Sequence, residues 1–127
     1  MNGSTALITR AADIAVSKGI VVVVSSGNDG FNSSHNTLSA PADAFNVITV
    51  GAVTTGRQRA AFSSVGPTTD GRIKPDVMAY GVNNHTARPG AGGVGYINSN
   101  VGTSLACPMV AGVCAMVLSA NPELNPL

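Results

Sequence analysis

The stretch Ile20-Val21-Val22-Val23-Val24-Ser25-Ser26-Gly27-Asn28-Asp29-Gly30 decides the fold class of this chain. Its first five residues are all β-branched. A continuous run of this kind predicts a strand that is covered on both faces, as in a parallel sheet. The Gly- and Asn-containing segment after it predicts a tight loop at the carboxyl end of the strand. In open α/β sheets, binding and catalytic sites gather at that end of the strands.

An amphipathic helical pattern at residues 4–18 comes directly before this strand. We expect Ser4 or Thr5 to cap the helix and Gly19 to end it. The apolar positions recur at helical spacing and predict one buried face, formed by Leu7, Ala11, Ile14 and Ala15.

The rest of the chain continues to alternate between strand and helix patterns. Four further segments predict strands, at residues 46–53, 60–63, 76–80 and 96–100. The glycine-rich residues 81–95 predict a surface loop, and the almost wholly apolar run 105–118 predicts a buried helix. This order indicates an α/β fold with a mostly parallel sheet, and 127 residues correspond to one domain or part of one.

Composition excludes several classes of function. The net charge is +1 and there is no basic run, so we expect no nucleic-acid partner and no anionic membrane surface. The longest apolar run, 105–118, is shorter than the roughly 20 residues that a membrane span needs. Cys107 and Cys114 lie about 10 Å apart along one predicted helix, too far for a disulfide, so we expect buried free thiols.

Two further patterns have only weak functional meaning. The segment Gly90-Ala91-Gly92-Gly93-Val94-Gly95 matches G-x-G-x-x-G, but no strand precedes it and no helix follows, so a flexible loop is favoured over a dinucleotide site. His35 and His85 lie in loop-like sequence without a Cys or carboxylate at metal-ligand spacing, which favours surface histidines.

The remaining candidates for chemistry are Asn28, in the loop after the first strand, and Ser104, at the start of the apolar helix. Ser104 at a helix N-terminus suits either a plain helix cap or a nucleophile, and the segment alone favours the cap. Acyl transfer needs a nucleophile and donors aimed at the developing oxyanion. Asn28 can supply a side-chain N–H group and Ser104 its own backbone N–H group.

At these two places the chain resembles the subtilisin-like serine proteases. Gly102-Thr103-Ser104-Leu105-Ala106-Cys107-Pro108-Met109-Val110-Ala111-Gly112 is similar to the family's G-T-S-M-A-x-P-H-V-A-G block around the nucleophile. Residues 22–30 are similar to the strand and A-A-G-N-x-G loop that carries the oxyanion asparagine. The segments 39–42, 47–53, 62–67 and 74–77 follow in the family's order, so the resemblance covers the whole chain.

The resemblance implies a role for each matching residue. Ser104 matches the nucleophile and Asn28 the oxyanion donor, while Thr103 matches a residue that helps shape the oxyanion site. Ser25, Ser26 and Gly27 match one wall of the pocket for the substrate side chain that precedes the scissile bond. Ser39 matches the base of that pocket.

The resemblance also implies a fold, a substrate class and a location. The fold is a three-layer α/β/α arrangement, of which residues 1–127 would be an incomplete, C-terminal portion running from the oxyanion strand through the nucleophile helix. The full-length parent would hydrolyse peptides or proteins and would be secreted or in the cell envelope. It would be able to bind Ca²⁺, and Ala42, Ala44 and Val47 match a weak carbonyl site. No carboxylate cluster accompanies these residues, so we expect no cofactor and no metal in this chain.

Two departures from the family pattern limit what this chain is expected to do. Met109 replaces the histidine of the P-H-V-A-G block, which is not the catalytic one, so the change bears on packing. The family's triad runs Asp, His, Ser along the chain, and neither histidine here precedes Asn28. We therefore expect a fragment of a serine endopeptidase that is inactive alone, because Ser104 has no base.

Three alternatives follow from the same departures. One is a non-catalytic module that lacks the triad His and Asp and binds peptide or pairs with another chain. Another is that His85 acts as a substitute base. Finally, a parallel sheet cut through the middle exposes a strand edge and apolar surface, which predicts self-association.

Overall fold

The computed structural model describes residues 1–88 and 95–126. Within them, the order of elements is α1 (Leu7–Ser17), β1 (Val23–Ser25), β2 (Ile48–Val53), β3 (Val77–Tyr80), β4 (Val82–Ala87), β5 (Tyr96–Val101) and α2 (Thr103–Ala120). The predicted strands at 46–53, 76–80 and 96–100 are confirmed to within two residues. The G-x-G-x-x-G segment lies outside the described residues, apart from Gly95.

A three-stranded parallel sheet in the order β1-β2-β3 forms the centre of the fold. Val50 and Ala52 of β2 pack with Ala106 of α2 in one apolar cluster. Val47, just before β2, packs with Val16 of α1 in a second cluster. The sheet therefore lies between α1 and α2, which confirms the α/β architecture with a mostly parallel sheet.

The predictions for the first helix are largely wrong in detail. Ala6 is the N-cap residue and no side chain caps it; the Asn2 Oδ1 atom instead accepts hydrogen bonds from the backbone of Ser4 and Thr5. Leu7 and Ile14 are more than half exposed, and the buried residues of α1 are Thr9 and Val16. The inward face of α1 includes polar groups, because the buried Thr9 side chain has a hydrogen-bond partner in the loop between β1 and β2. The end of the helix at Gly19 is confirmed, since its N–H group bonds the carbonyl of Val16.

The first strand is shorter and less covered than its β-branched run predicts. It spans Val23–Ser25, and each residue is only half-buried, because β1 forms one border of the sheet.

No strand forms at residues 60–63; a single bridge joins Val53 to Arg59 instead. The predicted loop at 81–95 is also wrong in its first half. Residues 82–87 are strand β4, which pairs antiparallel with β5 in a separate two-stranded ribbon.

Helix α2 is not buried as predicted. It extends to Ala120, and within it only Thr103 and Ala106 are buried. Its first turns pack on the sheet, but Val113, Met116 and Val117 are 44–65% exposed. No described residue covers that side of the helix. Cys107 and Cys114 are both free and half-buried, so the prediction of free thiols is confirmed and that of full burial is not.

One property of α2 also suits a membrane span. Among the described helices, α2 alone is long and apolar enough to cross a membrane, judged by length and composition only, and its mean hydropathy is 1.8. The core helix of a globular protein meets the same criterion. The packing of α2 against all three strands of the parallel sheet favours a core helix.

The buried carboxylate of Asp43 anchors the N-terminal segment. Its oxygens accept the Gly3 N–H group at 3.0 Å and the Thr9 hydroxyl at 2.7 Å. Burial alone raises the pKa of Asp43, but these hydrogen bonds outweigh burial and hold the pKa below its ordinary value of 3.8. Since the folded-state pKa is depressed, the ionised carboxylate stabilises the fold above its ordinary pKa. That contribution is lost as the pH falls through the folded-state value.

We therefore expect the Asp43→Asn substitution to lower the free energy of unfolding by about 2 kcal/mol at pH 7. The difference from wild type should shrink as the pH falls below about 4. Urea denaturation at several pH values measures this. Glu123→Gln, a charge removal at an exposed position near the C-terminus, is the matched control and should change little. A difference for Asp43→Asn that is constant with pH would show that the carboxylate charge contributes nothing.

Candidate active site

The loop after β1 meets the start of α2 through the side chain of Asn28. The Asn28 Oδ1 atom accepts a hydrogen bond from the backbone N–H of Thr103 at 2.9 Å and another from its hydroxyl at 3.0 Å. These residues are 75 positions apart in sequence. The two candidates from the sequence are therefore brought together, with Thr103 as the link. Because Oδ1 is held by two donors, the Nδ2 group of the same amide is directed away from Thr103 and can donate elsewhere.

Ser104 follows Thr103, and its side chain is exposed. The interpretation of Ser104 as a helix cap is wrong, because the N-cap residue is Gly102 and Ser104 lies inside the first turn. The Ser104 hydroxyl makes no hydrogen bond within the part of the chain that the structure describes. The Ser104 hydroxyl is therefore accessible from solvent at the start of α2.

Gly102 defines the space between the Ser104 and Asn28 side chains. Its φ of +152° is one that other residues rarely adopt. A Cβ atom on Gly102 would lie 3.1 Å from the Ser104 Oγ atom and 3.8 Å from the Asn28 Nδ2 atom. The hydroxyl and the amide N–H group therefore border one small space that the absence of a side chain at Gly102 leaves open.

Ser64, which the sequence analysis did not single out, holds the Asn28 loop in place. Its N–H group donates to the carbonyl of Gly27 at 3.0 Å, and its hydroxyl accepts from the N–H group of Asp29 at 3.0 Å. Ser64 is fully buried, and Asn28 lies between the two residues that it binds. Ser64 belongs to the segment 62–67 that resembles the protease family, so that segment was a signal that could have identified it.

The four candidate pocket residues lie beside this loop. Ser25 ends β1, and Ser26 is fully buried with no hydrogen-bond partner for its hydroxyl among the described residues. The N–H group of Ser39 donates to the carbonyl of Ser26 at 3.0 Å. A Cβ atom on Gly27 would lie 2.6 Å from the Ser39 Oγ atom, so only glycine fits there. The structure thus brings Ser39 against the 25–27 segment beside Asn28, with Ser25, Gly27 and Ser39 partly exposed and Ser26 beneath them.

The histidines lie apart from this arrangement. Both rings are exposed; His35 contacts the carbonyl of Asn36, and His85 lies on β4 rather than in a loop. Neither ring forms a hydrogen bond with Ser104 in the described segments. Within residues 1–88 and 95–126, no group of three His, Cys, Asp or Glu side chains is placed to hold a metal ion.

The carbonyl groups that match a weak Ca²⁺ site do not fit a cation in this chain. The Ala42 carbonyl accepts from the Thr49 hydroxyl at 2.7 Å. The Ala44 carbonyl accepts from the Arg72 guanidinium, and the Val47 carbonyl from the buried Lys74 ammonium, each at 3.0 Å. Each of the three oxygens is therefore already engaged by a donor, and a calcium ion would have to displace the Arg72 and Lys74 side chains.

The parallel sheet between two helices thus brings the Ser104 hydroxyl, the Asn28 amide and the N-terminus of α2 to one point. A sequence model of the Subtilase family matches residues 2–127. The chain belongs to the subtilase family of serine proteases.

Individual relatives agree with this assignment. The chain is 44% identical to Subtilisin DY of Bacillus licheniformis over 124 residues, which are 98% of this chain and 41% of that protein. It is 48% identical to Subtilisin NAT of Bacillus subtilis subsp. natto over 120 residues, 94% of this chain and 29% of that protein. The crystal structure of a cold adapted subtilisin-like serine proteinase superposes with a TM-score of 0.76 at 30% identity, covering 98% of this chain and 41% of the other. The chain thus spans less than half the length of these relatives.

Proposed function

We propose that these 127 residues carry the nucleophile and the oxyanion site of a subtilisin-like endopeptidase, as one part of its catalytic domain. Ser104 is the nucleophile and Asn28 the oxyanion donor. The observation that supports this most directly is the fixed orientation of the Asn28 amide. Thr103 holds Oδ1 through two hydrogen bonds, which leaves Nδ2 beside the space that the Ser104 hydroxyl borders.

The proposed reaction follows from these positions. The Ser104 Oγ atom attacks the carbonyl carbon of a peptide bond while a base accepts the hydroxyl proton. Negative charge then moves onto the carbonyl oxygen, where the Asn28 Nδ2 group and the Ser104 backbone N–H donate to it. Ser104 lies in the first turn of α2, whose N-terminal N–H groups and dipole also favour negative charge at this point. The base then gives the proton to the departing amine as the C–N bond breaks, which leaves an acyl group on Ser104. Water hydrolyses this acyl group and restores the Ser104 hydroxyl.

Substrate binding is assigned to the surface beside Asn28. Ser25, Ser26 and Gly27 form one wall for the side chain that precedes the scissile bond, and Ser39 forms its base. The close contact between Gly27 and the Ser39 hydroxyl supports this assignment. Small residues at these four positions leave room for a substrate side chain.

The isolated chain is expected to be inactive towards a fluorophosphonate probe, because this reagent needs a serine whose proton a base can accept. Labelling of the 127-residue chain should equal that of Ser104→Ala, measured by in-gel fluorescence after denaturation. A matched control is Ser33→Ala, at an exposed serine distant in sequence from α2. Strong labelling that requires Ser104 would contradict the expectation, and its loss in His85→Ala would identify His85 as the base.

Self-association is the second expected behaviour of the isolated chain. The parallel sheet has β1 and β3 as its outer strands, and Val113, Met116 and Val117 of α2 are exposed. Static light scattering should show a mean mass that rises with concentration, since apolar surface of this kind associates. Met116→Lys should reduce the effect, while Ile73→Lys, at a residue that is 86% exposed but outside α2, should not. A monodisperse monomer at high concentration would contradict this proposal.

A further inference from the structure

The loop after β1 is held from one side by the segment 62–65. The N–H group of Gly30 donates to the carbonyl of Phe62 at 2.7 Å. Further along the loop, the Thr37 N–H group donates to the Val65 carbonyl, and the Val65 N–H group donates to the Thr37 hydroxyl, each at 3.0 Å. One short segment therefore fixes the loop at several successive points.

Two adjacent serines of this segment bond to two different elements. The Ser63 hydroxyl accepts a hydrogen bond from the N–H group of Ala52, in the central strand β2, at 3.0 Å. The Ser64 hydroxyl accepts one from the N–H group of Asp29, in the loop, at 3.0 Å. Both serines are fully buried. The segment therefore connects the loop to the centre of the sheet through two hydroxyl groups.

Ser64 bonds to both neighbours of Asn28. Its N–H group donates to the carbonyl of Gly27, and its hydroxyl accepts from the N–H group of Asp29. These two bonds hold the backbone on each side of Asn28, while Thr103 holds the Oδ1 atom of its amide. The Asn28 residue is itself exposed, so its position depends on these hydrogen bonds rather than on burial.

The two bonds of Ser64 serve two different parts of the site. The bond to Gly27 uses the backbone of Ser64, so a change of side chain leaves it in place. Gly27 belongs to the proposed pocket wall and lies against Ser39. The bond to Asp29 uses the Ser64 hydroxyl. Removal of the hydroxyl therefore frees the residue that follows Asn28 but keeps the bond that holds the pocket wall.

We propose that Ser64 is a positioning residue for peptide hydrolysis, whose hydroxyl keeps the Asn28 Nδ2 group aimed at the oxyanion. The inference rests on the proposed function of Asn28. A donor stabilises the oxyanion best when it is already in place as the charge develops. Displacement by about 1 Å can lower a rate by about 10²-fold. Because Ser64 is fully buried, it does not touch the substrate and acts through Asn28.

The test uses a hybrid protease in which this chain replaces the 124 residues of Subtilisin DY that it matches. Ser64→Ala should lower kcat by about tenfold, which corresponds to the loss of one hydrogen bond, and should leave KM nearly unchanged. Hydrolysis of a peptide p-nitroanilide measures both constants, and fluorophosphonate titration counts the active sites. Ser64→Cys, whose sulfur is a weak acceptor, should have an intermediate kcat, and it provides the same comparison if Ser64→Ala does not fold.

Thr9→Val is the matched control for a purely structural role. It also removes a fully buried hydroxyl, which donates to the Asp43 carboxylate. We expect Thr9→Val to lower the melting temperature, as Ser64→Ala does, but to keep the full kcat per active site. If Ser64 only stabilised the fold, the two variants would behave alike.

The combination of Ser64→Ala with Asn28→Leu tests whether Ser64 acts through Asn28. In a hybrid without the Asn28 amide, removal of the Ser64 hydroxyl should hardly change kcat, whereas independent effects would multiply. Three results would overturn the proposal: full kcat in folded Ser64→Ala, a tenfold loss that persists in the Asn28→Leu hybrid, or a change in KM larger than that in kcat. Full activity of Asn28→Leu alone would overturn the oxyanion role of Asn28 as well.

Discussion

Ser104→Ala should abolish peptide hydrolysis by a hybrid protease in which this chain replaces the 124 matched residues of Subtilisin DY. The hybrid supplies whatever base the remaining part of that protein carries, so the proposed nucleophile can be tested by activity. In subtilisin itself, removal of the nucleophile lowers kcat by about 10⁶, and we take the expected magnitude from that enzyme. The reason is that no acyl intermediate can form without the Ser104 hydroxyl.

Hydrolysis of a peptide p-nitroanilide by the purified hybrid measures this loss. Ser99→Ala, at a nearby exposed serine on β5, is the matched control and should retain full activity. Circular dichroism and thermal denaturation establish that each variant is folded. If a folded Ser104→Ala hybrid kept a substantial part of its activity, Ser104 would not be the nucleophile.

Asn28→Asp and Asn28→Leu should each lower kcat of the same hybrid by about 10²–10³, with a smaller change in KM. That range is the one known for the oxyanion asparagine of subtilisin itself. The effect falls on kcat because the oxygen carries negative charge only in the transition state. The two substitutions separate two roles of the side chain. Aspartate keeps an oxygen that can accept both hydrogen bonds from Thr103, but it loses the N–H donor.

If Asn28 only held Thr103 in place, Asn28→Asp would be nearly as active as wild type and Asn28→Leu would be impaired. If Asn28 stabilises the oxyanion, the aspartate variant is at least as impaired as the leucine variant, because its negative charge repels the oxyanion. Asn32→Leu, in the exposed loop that follows, should have no comparable effect. Steady-state kinetics of the three variants distinguish these outcomes.

Local sequence patterns predicted most of the parallel sheet but not its surroundings. The β-branched run before Ser25 and the segment 46–53 identified two adjacent strands, because side-chain branching is a property of the residues themselves. Strand β4 was missed because its Asn- and Thr-containing sequence has no apolar alternation. It is held by pairing with β5, which is a long-range interaction. The exposure of α2 could not be predicted either, since its uniformly apolar sequence does not indicate how much of its surface neighbours cover.

The candidate site was predictable in its residues and not in its geometry. From composition and spacing alone, Ser104 was better explained as a helix cap, and only the ordered family blocks favoured a nucleophile. The contact between Asn28 and Thr103 joins residues 75 positions apart, so no local pattern could predict it. The role of Ser64 was missed for the same reason, because its two hydrogen bonds to the Asn28 loop are visible only in the folded chain.

The most direct measurement is the position of a covalent adduct in the hybrid. After treatment with a fluorophosphonate, proteolytic digestion and mass spectrometry should locate one phosphonyl group on the peptide that contains Ser104. Labelling should be slower in Asn28→Asp, because the phosphonyl oxygen resembles the oxyanion of the reaction. An adduct on another residue, or a hybrid that hydrolyses peptide while Ser104 stays unmodified, would contradict the assignment of Ser104 as the nucleophile.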